Sequence, residues 1–343
     1  MRIYRWVTLA LALYVAVVWS LAEALGVGHK VSFSSYLALA GQIYLICLVV
    51  GVLARLGYVL LWLRPRRPIR HLIDDFGGHV FSLERLALAL PVLVAMPVTM
   101  SVYSSLKRMI PDLVPYHHDE LFWQWDRWLH FGHDPWVLLQ PLLGVPAITS
   151  WISILYHQVW LGLMVLIWIW HAWRLTAPRL RLQFLITYLL VWIVLGNIAA
   201  VLLSSAGPPY FAQVTGLDSP FGPLFDYLES ADETSGVWAL SLQDTLWRSH
   251  ASGGTEIGTG ISAMPSVHVA TTMVFALAAW RQGLLARLVF TAFAVVVVAG
   301  SVHLGWHYAI DAYASIAATW LLWRGVGWWL ARNFETGARG IET

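Results

Sequence analysis

Apolar residues run along this chain in long blocks separated by short polar stretches, and the length of the blocks decides the fold class. A helix of about 20 apolar residues spans a bilayer, and eight such runs are present, at about residues 6–27, 36–63, 84–106, 147–173, 180–204, 263–281, 285–303 and 307–330. The pattern predicts an all-α integral membrane protein with about eight transmembrane helices. The first run follows Arg2 and Arg5 with no small-residue cleavage site, so it is expected to stay as a spanning helix rather than act as a removed signal peptide. No internal repeat stands out.

The polar interruptions fix an orientation. Residues 64–83 are basic and then polar, residues 107–146 are rich in Asp, His and Trp, residues 174–179 form a short basic turn, and residues 205–262 form a long loop of Gly, Pro, Ser and acidic residues. Alternate loops fall on opposite sides. One side collects Arg2, Arg5, Arg64, Arg66, Arg67, Arg70, Arg174, Arg179, Arg181, Arg281, Arg287, Arg324, Arg332 and Arg339; the other holds Lys30, Lys107, Arg108, Arg127 and Arg248. By the positive-inside rule both termini are expected in the cytoplasm, with the loops at 107–146 and 205–262 facing outward. The expected location is a bacterial cell membrane with an extracytoplasmic active site.

Composition agrees. The chain is 59% hydrophobic and 12% charged, about half the charged fraction of a soluble domain. Many of the 21 Trp sit at the ends of apolar runs, as Trp168, Trp170, Trp173, Trp328 and Trp329 do, where amphipathic rings meet lipid headgroups. The single cysteine, Cys47, lies inside a run and reads as a small buried hydrophobe. The formal charge of +2 comes with no basic patch interleaved with aromatics, which excludes a nucleic-acid partner.

Two stretches carry chemistry: Ser262-Ala263-Met264-Pro265-Ser266-Val267-His268, and His303-Leu304-Gly305-Trp306-His307-Tyr308-Ala309-Ile310-Asp311. Each sets ionisable groups at the mouth of an apolar run, where charge is costly and usually functional. His307 and Asp311 are four residues apart, so on a helix they share a face. A carboxylate beside an imidazole fixes its tautomer and favours its cationic form, which a histidine nucleophile needs, and His268 is placed to serve as proton donor and acceptor. Ser266 and the amides opening the helix at 265–268 suit the oxygens of a phosphate.

Pro265-Ser266-x-His268 followed by His307-Tyr308-x-x-Asp311 resembles the type 2 phosphatidic acid phosphatase (PAP2) superfamily, and within it the branch containing the fungal inositol phosphorylceramide synthases (Aur1-like proteins). The resemblance implies a six-helix core formed by helices three to eight, over residues 84–330. Residues 1–83 would then add two transmembrane helices and a basic cytoplasmic loop, and residues 331–343 a cytoplasmic tail. It further implies that His307 attacks phosphorus to give a phosphohistidine, that Asp311 orients it, and that His268 is the acid and base. The substrate class is a lipid phosphate or phospholipid, and the second acceptor is either water or an alcohol such as inositol or a sugar. No cofactor is implied.

Departures from the family pattern are informative. The better-known phosphatases carry Lys, six residues, Arg-Pro; here Lys107 is followed by Val114-Pro115. A second phosphate-clamping arginine is replaced by Ser301, and a motif glycine by Val267. Lys107, Arg108, His303 and Arg248 are candidate replacements for the lost donors; His303, one turn before His307, is expected on the same helical face. Residues 116–136 predict an amphipathic helix in the headgroup layer, with Trp123, Trp128, Phe131, Leu121 and Leu129 on its apolar side. Within it Asp119 and Asp126 are candidates to bind an acceptor hydroxyl or position the lysine, or else form a solvated polar face. His117, His118, Asp119 and His133 lack zinc spacing, and no metal is expected.

The remaining polar features have structural readings. Gly207-Pro208-Pro209 stops the fifth helix with a rigid turn, and its resemblance to the Ala-Pro-Pro-type turn of the Aur1-like branch makes it a candidate substrate contact. Val237–Trp247 is an apolar, interfacial piece, and Ser252-Gly253-Gly254-Thr255 reads as flexibility. Tyr156, His157, His171 and Asn197 are expected to make interhelical hydrogen bonds, and Asp74 and Asp75 to offset nearby arginines. A transporter or an inactive lipid-binding scaffold is the reading from another class; transporters often show inverted repeats and broken helices, and no repeat is apparent here.

Overall fold

The computed structural model describes residues 2–77, 82–174, 176–254 and 256–339, and all regular structure among them is helical. In chain order the helices are α1 (Arg2–Ala24), α2 (Ser35–Tyr58), α3 (Pro68–Asp75), α4 (Leu83–Leu113), α5 (Asp119–Leu129), α6 (Pro135–Leu143), α7 (Pro146–Trp173) and α8 (Pro178–Leu202). They continue with α9 (Gly222–Ser235), α10 (Trp238–Ser252), α11 (Val267–Ala279), α12 (Leu284–His303) and α13 (Ala309–Arg339). Six stretches among the described residues are long and apolar enough to cross a membrane: Arg5–Ala24, Gly28–Leu63, Leu83–Leu113, Pro146–Trp173, Pro178–Leu202 and Leu284–His303. The protein is an all-α integral membrane protein.

Several expected boundaries move, for identifiable reasons. The run at 263–281 becomes helical only at Val267, after the Ser266 N-cap, and α11 has 13 residues. At 1.5 Å per residue it is about 20 Å long, short of the roughly 30 Å hydrocarbon core. The segment from 107 onward does not open as a loop, because α4 runs on to Leu113 and carries Lys107 and Arg108 in its last turns. It stops at Val114, which is extended (φ −147°, ψ 124°), as a residue preceding proline must be. At the other end α13 continues through 331–339 as helix; residues 340–343 lie outside the described residues.

The bundle is organised around α11. Ala270, Val274, Phe275 and Ala278 pack against Tyr188 and Trp192 of α8 and Trp160 and Trp168 of α7. A second cluster joins Ile152 and Tyr156 of α7 to Leu224 and Leu228 of α9, Val297 of α12 and Ala312 of α13. On the outside, α1 lays Tyr14, Val18 and Ala22 on Val102, Leu106 and Met109 of α4, and Tyr14 donates to the Asn197 amide oxygen. Helix α2 is peripheral, with none of its most apolar stretch buried in protein. Arg55 donates to Asp75 at 2.8 Å.

Two long helices widen locally into π-type turns, α7 at Leu155–Val159 and α8 at Val191–Ala199. Such bulges cluster at functional sites because they rotate a few side chains out of the helical register. Here they turn Tyr156, His157 and Trp192 towards one internal cavity.

Candidate active site

That cavity has a volume of about 570 Å³ and lies between α4, α7, α8, α10 and α11. His268, His307 and Lys107 line it together, beside an apolar wall that includes Met100, Trp160, Leu161 and Met164. Trp238, Leu242 and Leu246 of α10 cover it from the loop side. The apolar piece expected to be interfacial is therefore a roof. Lys107 is the one Lys or Arg among the described residues lining this cavity.

His268 is the second residue of α11. Its ring stacks on Tyr156 with centroids 4.5 Å apart and meets Trp160 at 4.0 Å, so aromatic packing sets its orientation. Ser266 is fully buried, and its Oγ accepts the Val269 N–H at 3.5 Å. It serves as the N-cap of α11, one of the tasks an N-terminal serine performs best.

His307 does not sit on a helix. Helix α12 ends at His303, Gly305 turns the chain at φ +69°, and α13 begins at Ala309. The His307 N–H bonds to the Ser301 carbonyl at 3.0 Å, folding the loop back on α12. Asp311, the third residue of α13, points its Oδ2 backward to His307 Nδ1 at 3.1 Å and to the Tyr308 N–H at 3.2 Å. The second contact is half of a capping box, in which an acid at the third helical position takes the N–H of the cap residue. The Asp311 carboxylate is fully buried.

The end of α12 separates His303 from the site. Its ring is buried, with Nε2 2.9 Å from Thr149 Oγ1, which in turn lies 2.7 Å from the Tyr227 hydroxyl. The expectation that His303 and His307 share a helical face fails because no helix connects them. Arg108 also points elsewhere. It donates to the Lys30 carbonyl at 2.7 and 3.2 Å, to Ser104 Oγ at 3.2 Å and to the Glu256 carbonyl at 3.4 Å, and the guanidinium itself does not line the cavity. Arg248 is exposed and pairs with Asp244 on α10.

Helix α5 forms with most of its apolar residues exposed, and departs from expectation in its two acids. Its Trp128 and the following Phe131 are exposed, at 79% and 94%, while Asp119 and Asp126 are buried. Both acids bind backbone. Asp126 takes the N–H groups of Ala309 and Ile310 at 2.6 and 2.8 Å, satisfying donors that every helix start leaves open. Asp119 takes the N–H groups of Ala206 and Gly207 at 2.9 and 2.7 Å and the Tyr308 hydroxyl at 2.8 Å. Burial pushes the Asp126 carboxyl up to about 7, with its backbone bonds opposing the rise; burial raises Asp119 as well. The Asp126 oxygens expected on a ligand are taken up by the start of α13.

Gly207 closes the assembly. It lies at φ +97°, and a Cβ there would come within 2.9 Å of the Trp306 carbonyl and 3.0 Å of the Ala263 Cβ. The Gly-Pro-Pro turn thus wedges between the two motif loops, and Ala263 N–H bonds to the Ser205 carbonyl at 2.9 Å. Of the four polar residues expected to bridge helices, Asn197 does so, from α8 to α1 and to the Tyr103 carbonyl of α4 at 3.2 Å. His157 and His171 bind carbonyls of their own helix, Ser153 at 2.8 Å and Ile167 at 2.9 Å. The Gly-rich stretch caps α10 at Gly253 and Gly254; Thr255 lies outside the described residues. Tyr156 and His157, expected to make interhelical hydrogen bonds, line the cavity; a polar pair inside an apolar run was the available signal.

A helical membrane bundle with two histidine motifs meeting at one cavity defines the class, and sequence comparison agrees. A model of the PAP2 superfamily matches residues 120–324, more than half of the chain, and the protein belongs to that superfamily. Membership supports a phosphatase-type enzyme acting on a lipid-like substrate in a bilayer. The matched region includes His268, His307 and Asp311 and leaves Lys107 outside. No curated protein and no solved structure matches the chain.

Proposed function

We propose that this protein transfers a phosphoryl-bearing group from a membrane lipid by way of a phosphohistidine on His307. One observation carries the reading: His307, held at Nδ1 by Asp311, lines the same cavity as His268 and Lys107. With Nδ1–H donated to the carboxylate, the lone pair of Nε2 is the nucleophile. It attacks phosphorus; the N–P bond forms, the bond to the leaving oxygen breaks, and that oxygen takes a proton from His268. In the second step an acceptor hydroxyl gives its proton to His268 while its oxygen bonds to phosphorus and the N–P bond breaks. Asp311 stays ionised and offsets the positive charge that the imidazole carries in between. Lys107 neutralises the phosphate oxygens, and the apolar wall of Met100, Trp160, Leu161 and Met164 takes the lipid chain.

The acceptor follows from the resemblance to the inositol phosphorylceramide synthase branch: an alcohol such as inositol or a sugar, with water as the alternative. The arginine distribution supports an extracytoplasmic site with both termini in the cytoplasm. The test is a panel of lipid phosphates, diphosphates and phospholipids presented in micelles to the wild type, His307→Ala and His268→Ala, with and without inositol or a sugar. Free phosphate and new lipid product are measured side by side. The reading expects both variants to lose turnover and the ratio of the two products to identify the acceptor. Wild-type turnover in both variants overturns it.

A further inference from the structure

We propose that α5 is a positioning clamp for this site, with Asp126 and Asp119 on its inward face holding the reacting loops through their backbone. The proposal rests on the reading of His307 as nucleophile and adds what keeps it aligned.

Asp119, Phe122 and Asp126 form one buried stripe on α5, as positions three, four and seven apart do on a helix. The Asp126 grip falls on Ala309 and Ile310, the first two residues of α13, and Asp311 is the third. Any slip of that helix start therefore moves the carboxylate that orients His307. The Asp119 grip joins Ala206 and Gly207 to the hydroxyl of Tyr308, the residue after His307. Gly207 in turn abuts Trp306 and Ala263, so one short helix ties together all three segments around the nucleophile. His130, just past α5, adds a third tether: its Nδ1 lies 2.7 Å from the Asp126 carbonyl and its Nε2 2.9 Å from the Tyr313 hydroxyl on α13.

The clamp has a titration of its own. The groups facing Asp126 are Asp311, Tyr308 and Tyr313 on the α13 side and His130 on its own segment. Burial raises the Asp126 carboxyl to about 7, Asp311 adds to the rise, and His130 and the two N–H bonds oppose it. Above that pH both oxygens accept; below it a proton occupies one of them and one N–H bond is lost.

Asp126→Asn mimics the protonated form at every pH. Turnover of dioctanoyl phosphatidic acid, or of whichever panel lipid is turned over, is measured from pH 5.5 to 8.5 for both proteins. The wild-type to variant ratio of kcat should rise from near 1 in acid to about 10 in base with a midpoint near 7, while KM changes by less than about twofold, since misplacement of a reacting group acts on the chemical step. Asp126→Glu, which keeps both oxygens, should recover part of the loss at pH 8.5. A ratio that is flat with pH, or unity at pH 8.5, overturns the clamp and leaves the His307 result untouched. If Asp126→Asn does not accumulate, amide exchange at Ala309 and Ile310 in the wild-type protein decides the matter. Protection should fall as pH drops through 7, and protection that stays constant overturns the proposal.

Discussion

The His307 imidazole and the Asp311 carboxylate meet at 3.1 Å across the start of a helix, not along one. Asp311 reaches back from the third position of α13 and also takes the Tyr308 N–H, so one carboxylate caps the helix and holds the His307 ring. These two tasks separate by mutation. Asp311→Asn keeps an acceptor for the cap and loses the charge; kcat should fall by about 10²–10⁴-fold with a small change in Tm. Asp311→Ala should lose the same activity and in addition about 1 kcal/mol of stability from the missing cap. Turnover and thermal unfolding of the two variants check this. Near-wild-type kcat in Asp311→Asn would remove Asp311 from the chemistry.

Gly207 is where the Gly-Pro-Pro turn touches both motif loops. An alanine there adds a Cβ against the Trp306 carbonyl and Ala263 and is disfavoured at positive φ. Gly207→Ala should cost about 1–3 kcal/mol and displace the loop carrying His307, so Tm and kcat fall together. An unchanged kcat would show that the turn does not set the position of His307.

The cations and the third histidine sort by what their side chains touch. Lys107 lines the cavity, whereas Arg108 and His303 are engaged elsewhere. Lys107→Met should reduce kcat/KM for a lipid phosphate by about 10²–10³-fold, the usual effect of removing one donor to a developing oxyanion. Arg108→Met and His303→Leu should act mainly on Tm, leaving kcat/KM within a few-fold of wild type. Kinetics and melting of the three variants give the comparison, and a kcat/KM loss for His303→Leu as large as that for Lys107→Met would place His303 in the site after all.

The class of fold was legible because bilayer thickness imposes a run length that composition displays directly, and the expected spans at 6–27, 147–173, 180–204 and 285–303 begin and end within a few residues of the apolar stretches of α1, α7, α8 and α12. The His268 and His307–Asp311 motifs were legible because ionisable groups are rare beside apolar runs. What failed did so for separate reasons. Helical periodicity was extended through Gly305, where the chain turns at positive φ, and this put His303 on the wrong face. The acids of α5 were read as candidate ligand or lysine-positioning groups or as a solvated face, because sequence does not reveal which backbone donors a distant helix start leaves open. The contribution of Tyr156 and His157 to the cavity depends on a π-type turn, which leaves no mark in hydrophobic periodicity.

The central claim is a covalent bond between phosphorus and His307, and rapid quenching tests it most directly. Enzyme mixed with a turned-over lipid substrate is stopped in alkali, which preserves phosphohistidine, then digested and analysed by mass spectrometry. The account expects one added phosphoryl group on the peptide containing His307, accumulating in His268→Ala if the second step is slowed more than the first, and absent from His307→Ala. Turnover by the wild type with no modified His307 peptide at any quench time, together with unimpaired turnover by His307→Ala, would contradict it.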